Sequence, residues 1–185
     1  MPETVGDMTP LQQPDIIQKA VGYCTHQASK GIDSLIALME RTGEDWRRCL
    51  DGVSEAQAEF SPAPGEWNSK EVVTHFLMAT SSVNDQIHKL TSGEDVGQLA
   101  PAAPDERPAE TTSVAELSAE MVAIFDEIAR LTRALEGSAY LDRQFPHPAF
   151  GQFNILQWIA FQRLHGMDHM RQIEKNKADA GYPKA

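Results

Sequence analysis

Residues 68–90 read NSKEVVTHFLMATSSVNDQIHKL, and their apolar positions recur at the spacing of an α-helix. Asn68 can cap such a helix, and Glu71 stands three residues later, where the partner of a capping box belongs. The segment therefore predicts a long amphipathic helix over residues 69–90 that packs one face on a core. That face carries Val72, His75, Phe76, Ala79, Val83, Gln86 and Leu90.

The same periodicity continues on both sides of this segment, whereas alternating strand patterns are nearly absent. Asn154 can cap the last of the predicted helices, just as Asn68 can cap the helix over residues 69–90. The chain is therefore expected to be all-α. The further predicted helices are a short one at 14–26 and long ones at 32–50, 113–135 and 155–177.

The connections between the predicted helices differ in length. Residues 53–67 form a turn-rich linker, whereas residues 92–111 are Pro/Ala-rich and longer. A long crossover lets the helices that it joins run parallel, which a short turn does not. We therefore predict a four-helix bundle with a long crossover between its second and third helices. The expected organisation is an N-terminal extension with a short helix (1–28), the bundle (29–180) and a C-terminal tail (181–185).

Composition narrows the classes of function. Of 185 residues, 27 are Asp or Glu and 16 are Lys or Arg, which gives a formal net charge of −11. This balance argues against nucleic acid and an anionic membrane as partners, because both attract basic surfaces. The chain shows no run of 18 apolar residues and no apolar signal segment near its start, so we expect a cytoplasmic protein.

The two cysteines, Cys24 and Cys49, cannot build a disulfide framework or a cysteine-based zinc site. Both fall in helical patterns, and we expect buried free thiols.

Three of the six histidines form a candidate metal site. His165 and His169 are four residues apart, so a helix places them on one face, near enough to bind the same ion. His75 lies on the apolar stripe of another helix, where a buried imidazole needs a partner. Three imidazoles leave coordination positions open, as catalytic sites do. The alternative is that the three are packed or exposed histidines that bind no metal.

Other residues are weaker candidates. Gly166 stands where a zincin protease has its catalytic glutamate, so the zincin class is excluded. The small size of this glycine either admits a close neighbour or is merely tolerated within the helix. Asp168 or Gln172 could orient an imidazole from outside the ligand set. We expect His147 in a Pro-flanked loop to be structural or to border the site, and His26 and His88 to be solvated. Trp67 and Trp158 are expected in the core.

The chain resembles the DinB superfamily in three places. These are GEWNSKEVVTH at 65–75, the run from Phe150 through Trp158, and HGMDH at 165–169 followed by Gln172 and Ile173. The order and spacing match across about residues 32–177, and the short first helix lies outside the usual pattern. The resemblance implies an up-down-down-up four-helix bundle whose His75, His165 and His169 bind a divalent metal, zinc or nickel. It also implies a homodimer.

Members of that family include transferases and isomerases that use low-molecular-weight thiols, and metal-dependent hydrolases. The resemblance therefore implies a metal-dependent enzyme for a small-molecule substrate, either a thiol-dependent S-transferase or a hydrolase, with no catalytic residue assigned beyond the metal ligands. The alternative function is a noncatalytic, stress-related bundle in which the metal only fixes the packing of the helices.

Overall fold

The four predicted long helices all form in the computed structural model, which describes residues 14–94, 112–137, 141, 143–147 and 150–184. Their bounds lie within two residues of the predicted ones. In chain order the elements are α1 (Pro14–Ala28), α2 (Ile32–Leu50), α3 (Glu55–Ala58), α4 (Ser69–Ser92), α5 (Val114–Ala134), β1 (Gln144–His147), β2 (Gly151–Asn154) and α6 (Ile155–Lys177).

Capping side chains fix where three of the long helices begin. The Asn68 side chain accepts the Glu71 N–H at 2.9 Å, and the Glu71 carboxylate accepts the Asn68 N–H at 2.9 Å. Asn154 caps α6 in the same reciprocal way. Both predicted caps are confirmed, and Ser113 adds a third box at the start of α5. Each box satisfies backbone donors that a helix start leaves without partners.

Helices α4 and α5 run parallel. The Asn84 side chain donates to the Ile124 carbonyl, and one turn later His88 contacts the Glu127 carboxylate at 2.9 Å. Both contacts advance in the same direction along the two helices. Residues 95–111 of the predicted crossover lie outside the described residues.

Helices α2 and α6 also run parallel. Asp45 pairs with Arg163, and further along both helices the Lys177 ammonium donates to the Cys49 carbonyl. These pairs hold the first and last helices of the bundle side by side. The Asp45–Arg163 pair is mostly sheltered from solvent.

Helices α4 and α6 are antiparallel neighbours. The Thr80 hydroxyl donates to the Gln162 side chain at 3.1 Å, and the His75 ring, earlier on α4, lies beside the His169 ring, later on α6. With α2 parallel to α6 and α4 parallel to α5, the order of directions is up-down-down-up. The predicted all-α bundle fold is therefore confirmed.

Aromatic rings join three helices in the core. The Trp46 ring of α2 lies 5.1 Å from the Phe76 ring of α4, and Phe76 lies 5.8 Å from Phe125 of α5. All three side chains are fully buried. The short helix α1 packs on the outside of this bundle through buried Ala20 and Cys24.

A short β-hairpin and a single-turn helix were not predicted. Strands β1 and β2 form an antiparallel hairpin in which Phe145 lies opposite Phe153, and both rings are buried. Each strand has four residues and β1 contains Pro146, so neither shows an alternating pattern long enough to predict a strand. Helix α3 is a single turn inside the predicted linker. No described helix is long and apolar enough to cross a membrane.

Candidate metal centre

The structure brings the three predicted metal ligands together. His75 of α4 and His165 and His169 of α6 each offer a ring nitrogen, and these nitrogens all lie within 4.8 Å of one another. Nε2 of His165 lies 2.9 Å from Nε2 of His169. Among the described residues, this is the group of three whose donor atoms are close enough to share one ion.

The arrangement follows from the directions of the helices. His165 and His169 are one turn apart on α6, and their ring centroids are 4.6 Å apart. The antiparallel neighbour α4 places His75 opposite both, at 5.8 Å from the His165 ring and 5.1 Å from the His169 ring. Because the capping box at Asn68 fixes the start of α4, the position of His75 in its second turn is set locally.

Gln172 holds the His169 ring from one side. Its Oε1 lies 3.2 Å from Nδ1 of His169, where it accepts the ring N–H. A neutral imidazole with its proton on Nδ1 keeps the lone pair of Nε2 for a metal ion. Of the two outer residues considered from the sequence, the structure thus assigns this contact to Gln172. Asp168 is half-buried, and burial raises the pKa of its carboxyl.

Aromatic rings shelter the three histidines. Phe161 stacks on His165 with ring centroids 5.4 Å apart and planes 10° apart, and Phe76 lies 5.1 Å from His165. Trp67, which is half-buried rather than fully in the core, lies 4.9 Å from the His75 ring. Phe161 stands four residues before His165 and so shares its face of α6.

The surroundings keep His165 neutral. Burial is the largest cause of a pKa well below the ordinary value of 6.5, and the neighbouring His169, His75 and His147 lower it further. An imidazole must be deprotonated to bind a metal ion. His165 therefore offers a lone pair at neutral pH.

Gly166 lies between the two ligands of α6 and admits a close neighbour. A Cβ at this position would lie 2.9 Å from Nε1 of Trp46 and 3.4 Å from Cζ of Phe76. Of the two interpretations of this glycine, the structure therefore supports close packing. Gly166 lets α2 and α4 approach α6 directly behind the histidines.

His147 lies in the hairpin, beside the site rather than in it. Its Nδ1 accepts the Phe150 N–H at 3.2 Å, and its ring lies 4.7 Å from those of Trp158 and Phe161. Burial lowers the pKa of His147 to about 4. His147 thus borders the site through Phe161, as one of the sequence interpretations expected.

The other histidines and both cysteines lie apart from the cluster. His26 is exposed at the end of α1, and His88 is exposed on α4, paired with Glu127. Cys24 and Cys49 are buried free thiols, as predicted. Burial raises the pKa of Cys24 to about 12 and that of Cys49 to about 11, so neither provides a thiolate near neutral pH.

The donor set fits a borderline divalent ion. Imidazole nitrogens suit zinc, nickel, copper and iron. Two nitrogens that each lie about 2.0–2.1 Å from one tetrahedral ion are about 3.3 Å apart. The nitrogens of this cluster range from 2.9 Å between His165 and His169 to at most 4.8 Å, so small ring movements suffice.

Comparison with known families agrees with this architecture. The sequence model of the DinB superfamily matches residues 38–173, well over half of the chain. The chain belongs to the DinB superfamily. The match includes all three histidines of the cluster, whereas α1 precedes it.

Two proteins that are similar to this DinB-superfamily chain come from Bacillus subtilis. The uncharacterized protein YuaE of strain 168 is 24% identical over 154 residues, which cover 72% of this chain and 91% of YuaE. The solved structure of YfiT superposes with a TM-score of 0.65 at 15% identity, over 82% of this chain and 89% of YfiT. YfiT is described as "a probable metal-dependent hydrolase with an unusual four-helix bundle topology". At this identity the superposition shows a shared fold.

Proposed function

We propose that this protein is a metal-dependent hydrolase that binds one divalent ion through His75, His165 and His169. The observation that carries the proposal is the convergence of three ring nitrogens, from two antiparallel helices, within 4.8 Å. The description of YfiT, a protein of the same fold, as "a probable metal-dependent hydrolase" supports the choice of reaction. Zinc or nickel is the ion that we propose, because the family resemblance implies these two ions and both accept imidazole ligands.

When bound, such an ion supplies a Lewis acid and lowers the pKa of a coordinated water towards 7. Neighbouring residues orient and shelter the proposed metal ligands. Gln172 accepts the Nδ1 proton of His169 and so directs the Nε2 lone pair to the cluster. Phe76 and Phe161 pack against His165 and exclude water from that side. Three protein ligands leave a coordination position for water or substrate, which distinguishes catalytic from structural zinc sites.

Transfer to or from a low-molecular-weight thiol is the second reaction that the family resemblance implies. Cys24 and Cys49 are buried on other segments, and their raised pKa values keep them protonated. A thiol reaction would therefore need an exogenous thiol that reaches the metal as a thiolate. We place hydrolysis first because it needs only water as the second reactant.

Metal content tests the site. Elemental analysis of untagged protein is expected to find about one divalent ion per chain, and the His75→Ala, His165→Ala and His169→Ala variants are expected to lose it. His88→Ala is the matched control, because His88 is an exposed histidine on the same helix as His75. Equal metal content in all four variants, or no metal after dialysis against zinc and nickel, would refute the site.

The reaction is tested on the loaded protein. Hydrolysis of aryl esters that falls to background in His165→Ala but not in His88→Ala would support the hydrolase. If cobalt-substituted protein instead gains a sulfur-to-metal absorption band with a small thiol and does not hydrolyse esters, the transferase is favoured. Bound metal that raises the melting temperature, with neither reaction, would favour the noncatalytic bundle.

The expected homodimer, the cytoplasmic location and the domain limits stay predictions.

A further inference from the structure

A buried side chain attaches the end of α6 to the segment in front of α4. Asn176, in the last turn of α6, is only 1% exposed, and its Nδ2 donates to the Trp67 carbonyl at 2.8 Å. Trp67 directly precedes Asn68, the cap of α4. Because a buried amide or carbonyl that loses its partner is costly, this hydrogen bond holds the start of α4 at one height along α6.

The attached segment also contacts a proposed metal ligand. The Trp67 indole lies 4.9 Å from the His75 ring, and the two planes are 57° apart. The capping box between Asn68 and Glu71 ties the same segment to the first turn of α4. The segment therefore acts on His75 in two ways, through the start of its helix and through the ring beside it.

The spacing along the two helices relates this link to the metal centre. Asn176 follows His169 by seven residues on α6, and Asn68 precedes His75 by seven residues on α4. Seven residues are about two turns, so the members of each pair share a helix face and lie about 10 Å apart along the axis. Because α4 and α6 are antiparallel, the link lies two turns beyond the histidines on both helices.

Two other contacts near the start of α4 do not have this effect. The Lys175 ammonium lies 3.4 Å from the Glu66 carboxylate, and both side chains are largely exposed, so water and salt screen the pair. The buried Lys70 pairs with Glu55 and so ties the start of α4 to α3. Of these three contacts, the Asn176 hydrogen bond is therefore the one that sets α4 firmly against α6.

We propose that Asn176 is a positioning residue of the metal centre. By holding the Trp67 carbonyl it fixes His75 against the two histidines of α6, so that the three ring nitrogens are close together before an ion binds. Without this hydrogen bond the start of α4 can shift along α6, and ion binding is weakened by the free energy needed to restore the register. The inference rests on the three-histidine site of the proposed function.

The experiment compares zinc affinity and stability in two variants of the full chain. Asn176→Leu removes the donor at similar volume. Asn84→Leu is the matched control, because Asn84 is also buried, at 5% exposure, and donates to the Ile124 carbonyl of α5 at 3.4 Å. Both variants are expected to unfold at lower urea concentration. Asn176→Leu alone is expected to bind zinc more weakly, by about fivefold, the factor that corresponds to one net hydrogen bond.

Competition with a chromophoric chelator measures the affinity, and cobalt-loaded protein reports the geometry of the site. The visible absorption bands of cobalt are expected to change in Asn176→Leu and to stay the same in Asn84→Leu, because the first variant alone displaces a ligand. If Asn176→Leu does not fold, crystals of the unaltered protein with and without zinc decide. The hydrogen bond from Asn176 to Trp67 and the backbone position of His75 are expected to be the same in both. A metal-free crystal without that hydrogen bond, or a shift of His75 when zinc binds, would overturn the proposal.

Two further outcomes would overturn the proposal and leave the proposed function standing. In the first, Asn176→Leu is less stable but binds zinc as tightly as the unaltered protein, so that Asn176 is a structural residue only. In the second, Asn84→Leu weakens zinc binding to the same extent, so that any loosening of the bundle has this effect. Unaltered protein that binds no zinc would instead refute the proposed function and this inference together.

Discussion

Oε1 of Gln172 accepts the Nδ1 proton of His169 at 3.2 Å, one turn further along α6. The same ring has its other nitrogen 2.9 Å from Nε2 of His165. The two nitrogens of His169 therefore have different roles, and Gln172 determines which one faces the cluster. Contacts of this kind outside the ligand set typically account for a factor of 10–100 in metal affinity.

Gln172→Leu is accordingly expected to weaken zinc binding by about 10–100-fold without abolishing it. Competition with a chromophoric chelator measures the effect. Gln172→Glu keeps an acceptor oxygen beside Nδ1 and is expected to restore most of the affinity. An unchanged affinity in Gln172→Leu would show that the ring of His169 is oriented by packing alone.

Replacing Gly166 tests the close packing behind the histidines. The added Cβ of Gly166→Ala would lie 2.9 Å from Nε1 of Trp46, whose ring is fully buried and cannot withdraw freely. Overpacking of this kind typically costs about 1–3 kcal/mol, and the better helix propensity of alanine offsets about 1 kcal/mol of it. We expect a net decrease of up to about 2 kcal/mol in the free energy of unfolding of the metal-free protein, measured in urea.

The matched control for that variant is Gly22→Ala. Gly22 is an exposed residue within α1, and a Cβ there would meet nothing within 4 Å. It is expected to raise the free energy of unfolding by about 0.5–1 kcal/mol, because alanine loses less conformational freedom than glycine in a helix. Similar changes of the same sign in both variants would contradict the assigned packing role of Gly166.

The helices and the histidine cluster could be predicted because both follow from local patterns. The spacing of apolar residues and the capping box at Asn68 set α4, and the spacing of four residues places His165 and His169 on one face. His75 joins them because α4 and α6 are neighbours, an arrangement for which the family resemblance provided the expectation.

The surroundings of the cluster could not be predicted in the same way. The contacts of Trp46 with the Gly166 position, of Trp67 with His75, and of His147 with Phe161 depend on distant parts of the chain that pack together. The hairpin that carries His147 has strands of four residues, too short for any periodicity to stand out.

The two cysteines provide a test of burial. The pKa of Cys24 is raised to about 12 and that of Cys49 to about 11, mainly by burial. At pH 8 both thiols are expected to resist iodoacetamide in the folded protein, because the thiolate is the reacting form. Mass spectrometry should find two added groups only after denaturation in urea. Rapid labelling of either cysteine in the native protein would show that its helix opens readily, or that its thiol is activated.

His147 predicts a particular dependence of stability on pH. Burial among the rings of Phe150, Phe153, Trp158 and Phe161 lowers its pKa to about 4, against about 6.5 in an unfolded chain. His147 also interacts with His165 of α6, whose imidazole can become charged as well. Between the two pKa values the unfolded chain binds the proton more tightly than the folded one. The contribution of His147 to stability is therefore complete above about pH 6.5 and is lost as the pH falls towards 4.

His147→Phe keeps an aromatic ring in the same place and removes this titration. Between pH 6.5 and 4, the free energy of unfolding of this variant is expected to fall by about 1–2 kcal/mol less than that of the unaltered protein. This figure allows for the partial exposure of His147. Urea unfolding of metal-free samples across this range measures the difference, which includes any change that the loss of His147 makes to the titration of His165. His26→Phe, at an exposed histidine of α1, is the control. Parallel pH profiles for His147→Phe and the unaltered protein would mean that the His147 imidazole becomes protonated as readily in the folded chain as in the unfolded one.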